Sequence, residues 1–120
     1  MFMDDEEAIR LMAMFLLRRF GFDVVCVADG AEAVKRYYEA TKEGSPFVLV
    51  IVDLTVPGGM GGREAAAQMR AINPTVRVIV SSGYSSDPVL ANYREHGFCG
   101  VAAKPYEMSD LARVLREVLA

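Results

Sequence analysis

The strongest constraint on how this chain can fold is the alternation of two apolar periods along its length. Short β-rich runs fall at 23–27, 47–52, 76–80 and 98–102, and helical spacing fills 6–20, 31–42, 62–72, 88–96 and 109–119. Each helical run is long enough to cross over between parallel strands. The runs from 23 onward are continuously apolar or β-branched, as expected of strands covered on both faces. Residues 1–3 supply a first strand, which reads as shorter than its neighbours, so a few apolar residues are expected to precede Met1 in the native gene. The fold class that follows is α/β: a doubly wound, five-stranded parallel sheet with helices on both faces. Gly21, Gly44 and Gly97 stand where a left-handed residue ends a helix, and Asn73-Pro74 stops the third. In the first helix Ile9, Met12, Ala13, Leu16, Leu17 and Phe20 form an apolar stripe for packing on the sheet.

A chain of 120 residues has room for one core and no second domain. Thirteen Lys and Arg against sixteen Asp and Glu leave a formal charge of -3, with no basic run, which argues against nucleic acid as a partner. The longest apolar stretch, 47–52, is far short of the roughly 20 residues of a membrane span, and the start lacks a signal peptide's pattern. The expectation is a soluble cytoplasmic protein with no membrane insertion. Cys26 and Cys99 sit in apolar runs and read as small buried hydrophobes.

Ligands of an open parallel sheet bind outside the carboxyl ends of its strands. Those ends read Asp4-Asp5, Asp53, Ser81-Ser82 and Lys104-Pro105. Crowded carboxylates repel, so stability alone does not explain the cluster, whereas a hard divalent cation such as Mg2+ takes oxygen ligands of this kind. Three carboxylates, one Lys and one Mg2+ sum to zero formal charge. Such a rim accepts a dianionic phosphoryl group without a large excess of like charge.

With these positions in view the chain resembles, over essentially its whole length, the receiver domain of two-component response regulators. The resemblance rests on the acidic pair after strand one, Asp after strand three, a hydroxyl after strand four and Lys-Pro after strand five. It implies a flavodoxin-like strand order, 2-1-3-4-5, and phosphorylation of Asp53 by a histidine kinase or histidine phosphotransfer domain. It implies Mg2+ bound directly by Asp5 and Asp53, by the Thr55 backbone carbonyl, and by Asp4 largely through water. Ser82 would contact the phosphoryl oxygen and Lys104 would pair with it, with Pro57, Gly83, Tyr84, Val101 and Pro105 in support. In that strand order Cys26 and Cys99 lie at opposite edges, too far apart for a disulfide. The text from Asp53 to Gly62 and from Ser81 to Ser85 is most similar to receivers attached to hybrid sensor histidine kinases.

Each residue also has a plainer reading. Asp4, Asp5, Glu6 and Glu7 open a helix, where acids suit the dipole and cap amides. Gly58 to Gly62 lacks the Lys-Ser/Thr of a nucleotide-binding loop and reads as a flexible loop beside the site. His96 suits a helix end, and Tyr37, Tyr38 and Tyr93 read as packing residues. Two other functions compete: a haloacid dehalogenase type of Mg-dependent aspartyl-phosphate hydrolase, and a degenerate receiver that only binds protein. The first needs a second Asp two residues after the nucleophile, where Thr55 stands. The second is opposed by the complete acid, hydroxyl and lysine set. Tyr84 beside the site favours slow self-dephosphorylation. The family's switch aromatic, three residues before the Lys, is here Val101, too small and stiff to act as a swinging arm.

Overall fold

The structure is a computed structural model describing residues 1–83 and 87–120. Its elements run β1 (Phe2–Met3), α1 (Glu7–Arg19), β2 (Cys26–Val27), α2 (Gly30–Lys42), β3 (Val50–Asp53), α3 (Gly62–Ile72), β4 (Val78–Ser82), α4 (Pro88–Ala91), β5 (Gly100–Ala103) and α5 (Met108–Leu119). All sheet pairings are parallel, in the order β2-β1-β3-β4-β5. The expected doubly wound architecture is present.

Side chains of a strand alternate between faces, and the two cores follow that period. Met3, Val50, Val52, Val78 and Val80 pack with α2 and α3 through Ala33, Tyr37, Ala65, Ala66 and Met69. Phe2, Ile51, Ile79 and Ala102 pack with α1 and α5 through Ala13, Leu16, Leu17, Leu111, Val114 and Leu115. The first helix therefore buries the stripe its sequence offers, while Leu11 and Phe15 remain exposed.

Local chemistry sets the boundaries. The Asp29 carboxylate accepts from the Glu32 amide to start α2, and Asp87 accepts from the Val89 amide to start α4 with Pro88 in its first turn. Gly21 and Gly44 have positive φ, as their positions after α1 and α2 require, whereas Gly97, also at positive φ, closes a run of turns and not a helix. Several expectations shift. Strands β2 to β5 begin two or three residues later than their apolar runs, and β3, β4 and β5 also end later: β3 includes Asp53, β4 includes Ser81 and Ser82, and β5 reaches Ala103. The fourth helix stops at Ala91, and the residues to Gly97 form turns, so His96 is not at a helix end. β1 is no shorter than β2, which also has two paired residues.

Cys99 is exposed and Cys26 only partly buried, against the expectation of two buried thiols. Cys26 lies in edge strand β2 and Cys99 just before edge strand β5, and both are free. Tyr37 is fully buried and donates nothing to solvent contact, but Tyr38 is half exposed and is not a core residue. The glycine-rich segment contains a defined turn and two close backbone approaches. Pro57 and Gly58, whose φ is +74°, are the central residues of a turn closed by the Gly59 amide on the Val56 carbonyl. A Cβ on Gly62 would stand 2.5 Å from the Asp53 carbonyl oxygen, and one on Gly61 2.5 Å from that of Leu54. These two glycines let the start of α3 close against the end of β3.

Candidate functional site: an acid and lysine rim at the carboxyl end of the sheet

Strand alternation aims Asp4, Asp53 and Ser81 toward the same face as Phe2, Ile51 and Ile79, the face covered by α1 and α5. Asp53 and Ser81 are register partners across β3 and β4, and Ser81 pairs with Ala102 across β4 and β5. Lys104 follows β5, and its amide donates to the Ser82 carbonyl at 3.1 Å. Its Nζ lies 2.6 Å from Asp4 Oδ2 and 3.4 Å from Asp53 Oδ2, so one ammonium bridges two buried carboxylates. The peptide between Lys104 and Pro105 is cis.

Asp4 is fully buried, and its Oδ1 accepts the Glu6 amide at 2.9 Å. This bond closes a turn that leads into α1, whose N-cap Glu6 has no side-chain cap, and it occupies one Asp4 oxygen. The other, Oδ2, meets Lys104 as an ion pair without well-angled hydrogen-bond geometry. Arg10 donates to the Asp4 carbonyl oxygen at 2.8 Å and ties α1 to the end of β1. Burial, above all, pushes the Asp53 carboxyl up to about 6; Lys104 and the Thr55 amide oppose the rise, and the Asp4 charge adds to it. For Lys104 burial alone would lower the pKa, but Asp4 and Asp53 outweigh it and the ammonium is held above its ordinary value.

The charge count is what a divalent cation would answer. Asp4 and Asp53 with Lys104 leave one uncompensated negative charge, and Asp5 adds another at the rim. Carboxylate oxygens of Asp4, Asp5 and Glu6 all lie within 4.8 Å of one another. This oxygen-only set, with the buried Asp4 Oδ2 answered by the Lys104 ammonium alone, fits a hard ion. Glu6, read from sequence as a helix-opening acid, converges with Asp4 and Asp5, whereas Asp53 joins them through Lys104. Thr55 presents its amide to the Asp53 carboxylate.

Ser82 is buried at the end of β4, and Gly83 follows it. Tyr84 lies outside the described residues. Val101 is partly buried against the core on the α2 and α3 side. Sequence reasoning missed Tyr106. Its hydroxyl and that of Ser81 share a hydrogen bond, either able to donate, and its ring meets Phe2 edge-on at 6.0 Å between centroids. Burial pushes the Tyr106 hydroxyl up to about 12, against the Ser81 bond and the Lys104 charge. The available signal was an aromatic two residues past Lys104 together with a serine in register with Asp53.

A family model described as response regulator receiver domain matches residues 1–116. The chain belongs to that family. It is a receiver domain of two-component phosphorelay signalling. Among curated relatives it is 29% identical over 116 residues to transcription factor SKN7 of Candida albicans, covering 97% of this chain and 20% of that protein. It is 28% identical over 116 residues to sensor kinase CckA of Brucella abortus, covering 97% of this chain and 12% of that protein. It is 27% identical over 116 residues to sporulation initiation phosphotransferase F of Bacillus subtilis, covering 97% of this chain and 89% of that protein. The receiver thus spans a small part of the first two relatives and most of the third. A crystal structure of the receiver domain of a Pseudomonas aeruginosa sensor histidine kinase, with a magnesium ion in its active-site cleft, superposes with a TM-score of 0.84. The match is 22% identical and covers 98% of this chain and 93% of that one. The receiver fold and the strand order implied by the resemblance are both present. No described helix is long and apolar enough to cross a membrane.

Proposed function

We propose that this receiver accepts a phosphoryl group on Asp53 from a phosphohistidine of a histidine kinase or histidine phosphotransfer domain, in the cytoplasm. The observation that carries the reading is the bridge from Lys104 to Asp53 and the fully buried Asp4 at the carboxyl end of the sheet. An Asp53 carboxylate oxygen attacks phosphorus in line as the bond from phosphorus to the imidazole nitrogen breaks; that nitrogen keeps the electron pair. Lys104, already beside the acceptor oxygen, offsets charge on the transferring oxygens, and Ser82 would hydrogen-bond one of them. Asp4, Asp5 and Asp53, with the Thr55 carbonyl, would hold Mg2+, and the convergence of Glu6 with the acidic pair adds a rim carboxylate to that set. When bound, Mg2+ neutralises charge on the phosphoryl oxygens.

Thr55 is neither acid nor amide, so nothing at that position activates water for hydrolysis as a dehalogenase-type enzyme would require. The phosphoryl group should therefore persist. Incubation with acetyl phosphate and Mg2+ tests this: a stoichiometric, lasting label is expected. Continuous phosphate release would indicate a hydrolase, and no label would indicate a receiver that only binds protein. The likeness to SKN7 and CckA supports a place within a longer signalling protein, and the loop wording supports a hybrid sensor kinase.

A further inference from the structure

We infer that Tyr106 is a positioning residue for phosphoryl acceptance, acting through the hydrogen bond of its hydroxyl to Ser81. The inference rests on the reading of Asp53 as acceptor. Ser81 is the register partner of Asp53 and the chain neighbour of Ser82, so whatever fixes Ser81 fixes the strand end that carries the phosphoryl-contacting hydroxyl. Tyr106 lies two residues past Lys104, in the connection from β5 to α5. Its ring packs edge-on against Phe2, two residues before Asp4. One side chain therefore ties together the strand ends that present Asp4, Ser82 and Lys104.

Packing alone would not call for the hydroxyls. Phenylalanine and alanine would fill nearly the same space, whereas two hydroxyls drawn partly out of water are unfavourable unless they bond to each other. What the bond adds is direction, because it fixes where β4 stands relative to the chain leaving Lys104. That matters for a transfer whose rate depends on placing charged groups around one phosphorus to within a fraction of an ångström. Lys104 now divides its ammonium between Asp4 and Asp53 and must re-aim when phosphoryl arrives. The Tyr106 anchor holds the backbone from which it reaches. With Val101 in place of a swinging aromatic, Tyr106 is the ring that joins the ends of β4 and β5.

The test compares labelling by acetyl phosphate across a Mg2+ series for wild type, Tyr106→Phe, Ser81→Ala and the double variant. Each single change should lower the limiting rate at saturating Mg2+ roughly fivefold, the scale of one net hydrogen bond. The half-saturating Mg2+ concentration should stay the same, because the acids lie on other strands. The double variant should be no slower than the slower single variant. Wild-type limiting rates accompanied only by a lower urea midpoint, or losses that multiply in the double variant, would overturn the inference. Should Tyr106→Phe lose its near-UV circular dichroism, the smaller change Ser81→Ala decides alone by the same criterion. Labelling of Asp53→Asn, run in parallel, would refute the acceptor assignment and not the role of Tyr106.

Discussion

At Asp53 two requirements oppose each other. As the proposed acceptor the residue must ionise to attack phosphorus, yet it is only 5% exposed, and burial pushes its carboxyl up to about 6 from 3.8. A carboxyl raised in the folded state contributes stability that is fully present below about pH 4 and lost as pH rises through about 6. In metal-free buffer Asp53→Asn should therefore unfold at higher urea than wild type above pH 6, with the gap closing toward pH 4. A constant gap across that range would show that the Asp53 charge carries no such cost. The acidic pair makes a second prediction. Asp5→Ala should weaken Mg2+ at least about tenfold, or roughly 1.4 kcal/mol, by removing an oxygen ligand; an unchanged Mg2+ titration would remove Asp5 from the set. Gly62 makes a third. Alanine favours a helix over glycine by up to about 1 kcal/mol, but its Cβ would meet the Asp53 carbonyl at 2.5 Å. Overpacking of about 1–3 kcal/mol should win, so Gly62→Ala lowers the urea midpoint. A raised midpoint would contradict the close approach.

Among the elements, the sheet was legible because period two and period 3.6 alternate without interruption, and the misplacements have a common cause. A strand needs a hydrogen-bonded partner as well as apolar residues, and β1, which lies between β2 and β3, pairs only through Phe2 and Met3. Phe2 pairs with Cys26 and Ile51, so the apolar residues at 23–25 and 47–49 precede the ladder. At the other end polar residues read as loop, yet Asp53, Ser81 and Ser82 continue the pairing and are buried by it. The candidate site was legible residue by residue for Asp4, Asp53 and Lys104, whose joint placement follows from strand ends. Tyr106 was not, because its role depends on a contact 25 positions away in sequence with Ser81. The strand ends also set the route of the signal. Ser82 follows Ser81, the register partner of the proposed acceptor, and Val101 lacks the reach of an aromatic, so Ser82→Ala should keep phosphorylation but abolish most phosphorylation-dependent NMR shifts from Asp87 to Glu95. Val101→Ala should alter them little, and the reverse ranking would place the coupling in β5.

For the molecule as a whole, one sheet separates two cores and gathers its charged strand ends at a single rim. Stability and signalling are thereby divided: the faces hold the fold, and the rim holds the uncompensated charge that phosphorylation changes. The relatives carry this module within a transcription factor, within a sensor kinase and nearly alone. The most direct test is to label the chain with acetyl phosphate and Mg2+, reduce the acyl phosphate with borohydride and map the modified peptide by mass spectrometry. The account predicts reduction to homoserine at position 53 alone. Modification at position 4 or 5, with Asp53 intact, would contradict it.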